Sequence, residues 1–162
     1  MPDLPSARIR PATVLDAAAL AAVHQQAWRE TYGDRVPAEV YAERDAVLES
    51  EWATRLADPG ATHTWIAERD GEAVGLASAR ATGPGQVRPL ELTLLYVLAA
   101  EQGRRTGRHL LRLSVGDAPC LLWVVEDNDR AVDFYRRRGF ELDGALREEA
   151  AHGLLPEVRM VR

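Results

Sequence analysis

The sequence predicts a mixed α/β domain, with one twisted and mostly antiparallel sheet carrying helices on its faces. Three observations point there. Two long segments near the N-terminus carry apolar residues at helical spacing. The period then changes to two around Asp70-Gly71, a hairpin signal. A strand, a glycine-bearing loop, a helix and an apolar strand then run from Leu92 to Val125, which is the order of a parallel crossover unit.

Taken in order, Ala7 to Arg10 alternates and stops at Pro11, so it reads as a short first strand. Thr13 caps the first helix, with Asp16 three residues on. Leu15 to Glu30 is that helix, rich in Ala and broken at Tyr32-Gly33-Asp34. Pro37 suits the first turn of a second helix that runs to about Leu56. Asp58-Pro59-Gly60 is a turn. Two strands flank Asp70-Gly71, and Gly83-Pro84-Gly85 turns again. Val87 to Val97 is a long strand. Alternation puts Glu91, Thr93, Leu95 and Val97 on one face, with Leu92, Leu94 and Tyr96 on the other. A short helix spans about Gly107 to Val115, and Cys120 to Val125 reads as a buried strand. Asp129 to Arg138 is a helix with Ala131, Phe134, Tyr135 and Arg138 on one side, ended by Gly139. Phe140 to Glu149 and Val158 to Arg162 close the sheet.

The chain has 162 residues, which suits a single domain over 1–162. Acidic side chains outnumber basic ones, 25 to 20, and no aromatic-basic interleaving appears, which argues against a nucleic-acid partner. Every one of those cations is Arg, whose planar fork suits phosphate. Cys120 is the single cysteine, so no internal disulfide forms, and its apolar run suggests an inert thiol. The N-terminus has no apolar core of a signal peptide, and no apolar run approaches a membrane span, so a cytoplasmic protein off the membrane is expected. His24, His63, His109 and His152 lack metal-ligand spacing, and no metal site is expected.

The stretch EQGRRTGRHLL, Glu101 to Leu111, carries the first functional signal. A helix start presents free N–H groups and a positive dipole end, and anions bind there. Gly103 and Gly107 let backbone approach a ligand, and Arg104, Arg105 and Arg108 add charge for phosphates.

Longer patterns sharpen this. LLYVLAAEQGRRTGRHLL resembles motif A of the GNAT (Gcn5-related N-acetyltransferase) superfamily, Q/R-x-x-G-x-G/A after a strand, matched by Gln102, Gly103, Arg104, Arg105, Thr106 and Gly107. NDRAVDFYRRRGFE resembles motif B of that family, with Asn128, Ala131, Phe134, Tyr135, Gly139 and Phe140 in register. IRPAT, leading into an Ala-rich helix with Trp28 and Tyr32, and the last strand also resemble it, so the resemblance spans nearly the whole chain. Arg105 departs from the pattern, replacing a loop glycine, and the helix after the loop is short.

The resemblance implies the GNAT fold, with a splayed parallel pair formed by the fourth and fifth strands. It implies acetyl-CoA as cosubstrate, its pyrophosphate on the N–H groups of Gly103 to Arg108. Leu95, Tyr96 and Val97 would pair with the pantetheine arm, and an N–H there would stabilise the oxyanion. Asn128 would bond the pantetheine or cap the next helix. Tyr135 matches the general acid that protonates the departing thiolate. Glu91 lies where some members carry a glutamate base; Glu126 or a water are the other candidates. Trp28, Tyr32 and Glu30 would line the acceptor site for a small-molecule or peptide amine. A homodimer is compatible with such a domain. The implied activity is acetyl transfer to a primary amine by direct attack in a ternary complex. A catalytically weak coenzyme A-binding or regulatory module is the alternative; Arg105 and the short helix support it, and Tyr135 opposes it.

Overall fold

In the computed structural model, which describes residues 7–148 and 155–162, the elements keep the expected order. His152 and the predicted strand end at Glu149 lie outside the described residues. After β1 (Arg8–Pro11), a 3-10 turn over Val14–Asp16 comes before helix α1 (Ala17–Tyr32). The helix thus starts later than Leu15, because Thr13 and Asp16 form a capping box around that turn. On α1, Leu20, Ala21, Val23, His24, Ala27 and Trp28 are buried, which is one helical face.

Helix α2 (Ala38–Ala57) and strands β2 (Thr62–Arg69) and β3 (Glu72–Ala81) come after it. Strand β4 (Leu90–Val97) begins three residues later than the predicted Val87, where Thr82 N–H bonds the Pro89 carbonyl and closes the preceding loop. Helix α3 (Thr106–Val115), strand β5 (Cys120–Val125) and helix α4 (Asp129–Arg136) come next. Helix α4 stops two residues early, where Phe140 N–H bonds the Tyr135 carbonyl and Gly139 takes φ of 84°. Strands β6 (Glu141–Glu148) and β7 (Pro156–Val161) finish the chain.

The seven strands pair in the order β1-β2-β3-β4-β5-β7-β6. Among the described residues only β4 and β5 are parallel, and they pair over Leu90–Leu92 and Cys120–Leu122 alone. Beyond that point the two strands diverge, and β5 pairs along its length with β7 instead. The result is a V-shaped gap along the second half of β4.

The alternation along β4 breaks at a bulge. Ser78 pairs with Leu94 while Ala79 pairs with Leu92, which leaves Thr93 as the extra residue. Leu90, Leu92, Leu95 and Val97 therefore face α3, whereas Glu91, Leu94 and Tyr96 face α1 and α2. The expected grouping of Glu91 with Leu95 and Val97 is corrected: one inserted residue moves Glu91 to the opposite face.

Two apolar layers sandwich the sheet. Leu20, Leu48, Trp52, Ile66 and Leu76 pack on the α1/α2 side. Leu92, Leu111, Val115, Leu122, Val132 and Phe140 pack on the α3/α4 side. Each such large side chain contributes about 1.5–3 kcal/mol on burial. Gly75 of β3 lets the layers close: a Cβ there would lie 3.0 Å from the Tyr96 carbonyl and 3.3 Å from Leu110.

Candidate active site

The gap between β4 and β5 opens into a cavity of about 780 Å³, bounded by the second half of β4, the loop after it, β5 and α4. Leu95, Tyr96 and Val97 line it, as do Gln102, Gly103, Arg105, Thr106, Gly107 and Arg108 of the loop and helix start. Asn128 and Tyr135 line its far wall. Arg104 is exposed and does not line it; neither does Glu126, also exposed.

The loop keeps its shape without the third glycine. Arg105 adopts φ of 67° and Gly103 φ of 81°, both left-handed. The conformation costs Arg105 roughly 1 kcal/mol, where glycine takes it freely. Its carbonyl accepts the His109 N–H, the first bond of α3. Thr106, Gly107 and Arg108 precede that bond, so their N–H groups have no intrahelical acceptor. Gln102 turns back, its Nε2 donating to the Val97 carbonyl at 3.0 Å, so it ties the loop to β4.

A buried glutamate that the sequence did not single out holds the loop in place. Glu101 is 2% exposed. It accepts Arg69 Nε at 2.7 Å, Arg69 Nη2 at 2.6 Å and the Thr106 hydroxyl at 2.6 Å. The Arg69 guanidinium, helped by Thr106, holds the Glu101 carboxyl below the usual carboxylate range against the opposing effect of burial. Glu157 of β7 is a second unforeseen carboxylate; it lines the cavity and accepts Arg147 Nε at 2.7 Å. Arg130, Arg137 and Arg138 add positive charge on the α4 side. Arg138 lies 3.6 Å over the Phe134 ring.

Tyr135 is buried between Phe134 and Phe140, with ring centroids 5.2 and 5.7 Å away. Burial pushes its phenol well above the ordinary tyrosine range, and Tyr96 adds to this. It therefore keeps its proton at neutral pH, as a proton donor must. Tyr96 accepts the Trp28 Nε1–H at 2.8 Å, and burial, partly opposed by that bond, pushes it up to about 12. Asn128 caps α4, its Oδ1 accepting the Ala131 N–H at 3.2 Å.

Of the expected acceptor residues, Tyr32 lines the cavity, but Trp28 does not. Trp28 is 2% exposed and reaches the site through Tyr96. Glu30 lines the rim and accepts the Ala99 N–H at 2.7 Å, which fixes α1 against the loop. Glu91 lines the cavity on the α1/α2 face, its Oε2 held by Arg80 Nε at 2.9 Å and Nη2 at 2.7 Å. Among the described residues no cluster of three or more His, Cys, Asp or Glu could hold a metal, and no helix is long and apolar enough to cross a membrane.

Comparison with known proteins agrees with this geometry. Residues 20–140 match the model of the acetyltransferase (GNAT) family. A Mycobacterium tuberculosis protein named a probable N-acetyltransferase is 28% identical over 145 residues, covering 85% of this chain and 81% of the relative. The PaiA N-acetyltransferase from Thermoplasma acidophilum, solved in complex with coenzyme A, superposes with a TM-score of 0.79 at 18% identity, covering 98% of this chain and 99% of that one. A ribosomal-protein-alanine N-acetyltransferase from Brucella melitensis gives 0.66 at 26% identity, covering 96% and 98%. The family's enzymes use acetyl-CoA. With the family model spanning most of its length and the fold matched end to end, the chain belongs to the GNAT acetyltransferase family.

Proposed function

We propose that the protein transfers an acetyl group from acetyl-CoA to a primary amine of a small molecule or peptide, by direct attack with both substrates bound. The observation that carries this is the gap beside Leu95, Tyr96 and Val97, with a helix start at one end and the buried Tyr135 on its wall. The residues present fit coenzyme A. The N–H groups of Thr106 to Arg108 and the arginines around them suit a pyrophosphate. The edge of β4 left by β5 suits an extended amide-bearing arm.

Acetyl-CoA, when bound, supplies an activated thioester. The acceptor nitrogen bonds to its carbonyl carbon as the carbon–sulfur bond breaks. A backbone N–H of the Leu95–Val97 segment polarises the carbonyl oxygen. The Tyr135 hydroxyl gives its proton to the departing sulfur, and Glu91 takes one from the amine. Proton transfer from Glu91 through solvent then restores Tyr135. Glu91 suits this because the bulge turns it to the α1/α2 side, away from α3 and the loop.

The test measures acetyl-CoA binding by calorimetry and thiol release across amino acids, polyamines, aminoglycosides and peptide N-termini. Binding together with amine-dependent thiol release is expected. Binding with no release from any amine would identify a coenzyme A-binding module instead. No binding would overturn the reading.

A further inference from the structure

A second cavity, of about 450 Å³, lies between α2 and the sheet. One wall is a single stripe of α2: Arg44, Leu48, Trp52 and Arg55 recur at helical spacing. Arg80 and Arg147 reach it from the sheet side, so four arginines meet two glutamates, Glu51 and Glu91, around one space.

Two of the arginines are already neutralised. Arg80 is paired with Glu91 and Arg147 with Glu157. Arg44 and Arg55 make no ion pair among the described residues, and Glu51 is exposed. Each is seated on an indole instead: Arg44 lies 4.9 Å over Trp28 and Arg55 lies 4.7 Å over Trp52. A cation–π seat orients a guanidinium without cancelling its charge. Burial lowers the proton affinity of Arg55; Glu51 opposes this, while Arg44 and Arg80 add to it by repulsion. Trp52 lines the same cavity, is 1% exposed, and its Nε1 has no hydrogen-bond partner among the described residues. Two oriented guanidinium groups without an ion pair, facing one cavity, form a donor set for an anion.

The cavity joins the active site. Glu91, Thr93, Leu94 and Arg147 line both spaces, so they meet at the β4 bulge. We propose that the acceptor amine carries an anionic group, a carboxylate or a phosphate, held by Arg44 and Arg55. Its amino group then reaches past the bulge to Glu91 and the open edge of β4. Polycationic amines are repelled by the same arginines. This proposal rests on the acetyltransferase reading and names the substrate class of that site.

The test uses the full chain with acetyl-CoA and acceptor pairs that differ in the anion. L-Amino acids are set against their α-amides, and phosphoethanolamine against ethanolamine. For at least one pair, kcat/KM of the anionic member should exceed that of the neutral one by about tenfold or more, mainly through KM. The carboxylate and phosphate arms identify the anion. In Arg44→Gln/Arg55→Gln the ratio should fall towards one. Neutral members that match or beat their anionic partners throughout would overturn the proposal, as would an unchanged ratio in the double variant. If the double variant fails to fold, Arg44→Lys decides: loss of the planar fork should cut the ratio, and an unchanged ratio counts against the site. No thiol release from any amine, with acetyl-CoA bound, would count against the acetyltransferase reading alone. Titration of inorganic phosphate and of acetate at constant ionic strength then decides the anion site. A saturable change in tryptophan fluorescence supports it, because Trp28 and Trp52 lie under the two arginines; a flat signal overturns it.

Discussion

Tyr135 sits where packing and chemistry give different predictions for one atom. Its ring is buried against Phe134 and Phe140, so Tyr135→Phe keeps the packing and the fold. The hydroxyl matters only if sulfur departs beside it. An interaction made in the transition state alone lowers kcat and kcat/KM together. The expected loss in kcat is about 10- to 100-fold at neutral pH, with acetyl-CoA affinity changed by less than about threefold. A wild-type rate under chemistry-limited conditions would make Tyr135 a packing residue. Arg105 poses the converse question, since its left-handed backbone suits glycine. Arg105→Gly should therefore leave acetyl-CoA affinity within about 1 kcal/mol and hold or raise thermal stability; a collapse in affinity would show that the guanidinium itself holds phosphate. The sequence put both residues at the cavity because each falls inside a spaced motif. Glu101 and Glu157 were not legible in it. Their roles depend on Arg69, 32 residues earlier, and Arg147, 10 residues earlier, and a single glutamate carries no pattern that names such a partner.

Among the elements, β4 and α3 shape the site most, and the sequence described them unequally. The strand, its parallel neighbour and the loop were visible from alternation and glycine placement. The bulge at Thr93 was not, because an inserted residue leaves the composition of an apolar strand unchanged while reversing every face before it. That reversal is what places Glu91 with Leu94 and Tyr96. Helix α3 yields a graded test at Gly107. A Cβ there would meet Phe134 and Val97 at 3.6 Å, ordinary contact. Gly107→Ala should fold, and its higher helix propensity should raise stability by up to about 1 kcal/mol. Gly107→Val adds two methyl groups to the same space between α4 and β4. It should weaken acetyl-CoA binding about tenfold or more by pushing the helix start off the gap. Calorimetry on the two variants checks this, and equal affinity in both would refute the placement of the pyrophosphate at this helix start.

At the scale of the molecule, the sheet holds its edge by charge as well as by hydrogen bonds. Arg10 of β1 donates to Asp16 at 2.8 Å from each Nη, and to Glu68 of β2 at 2.6 Å from Nη2 and 3.2 Å from Nε. Asp16 also accepts the Thr13 N–H at 2.7 Å, which fixes the turn that launches α1. One carboxylate thus joins the first strand, the capping turn and the helix that covers the active-site side of the sheet. The Arg10 bonds, reinforced by Thr13, bring the Asp16 carboxyl down to about 2 despite its burial. In the unfolded chain it titrates near its ordinary value of about 3.9. A carboxyl whose affinity for protons is lower when folded adds stability above the unfolded value. That stability is lost as pH falls through the window from about 4 to about 2, because the unfolded state binds the proton first. Glu101 and Asp143 are shifted in the same direction, so the decline is shared. The specific expectation is for Asp16→Asn. It should melt at a lower temperature than wild type at neutral pH, and the difference should narrow as pH is lowered through that window. Thermal melts of both proteins at a series of pH values measure it. A gap that stays constant down to the acid end would mean that Asp16 acts through its shape and hydrogen bonds, with its charge contributing nothing to the edge of the sheet.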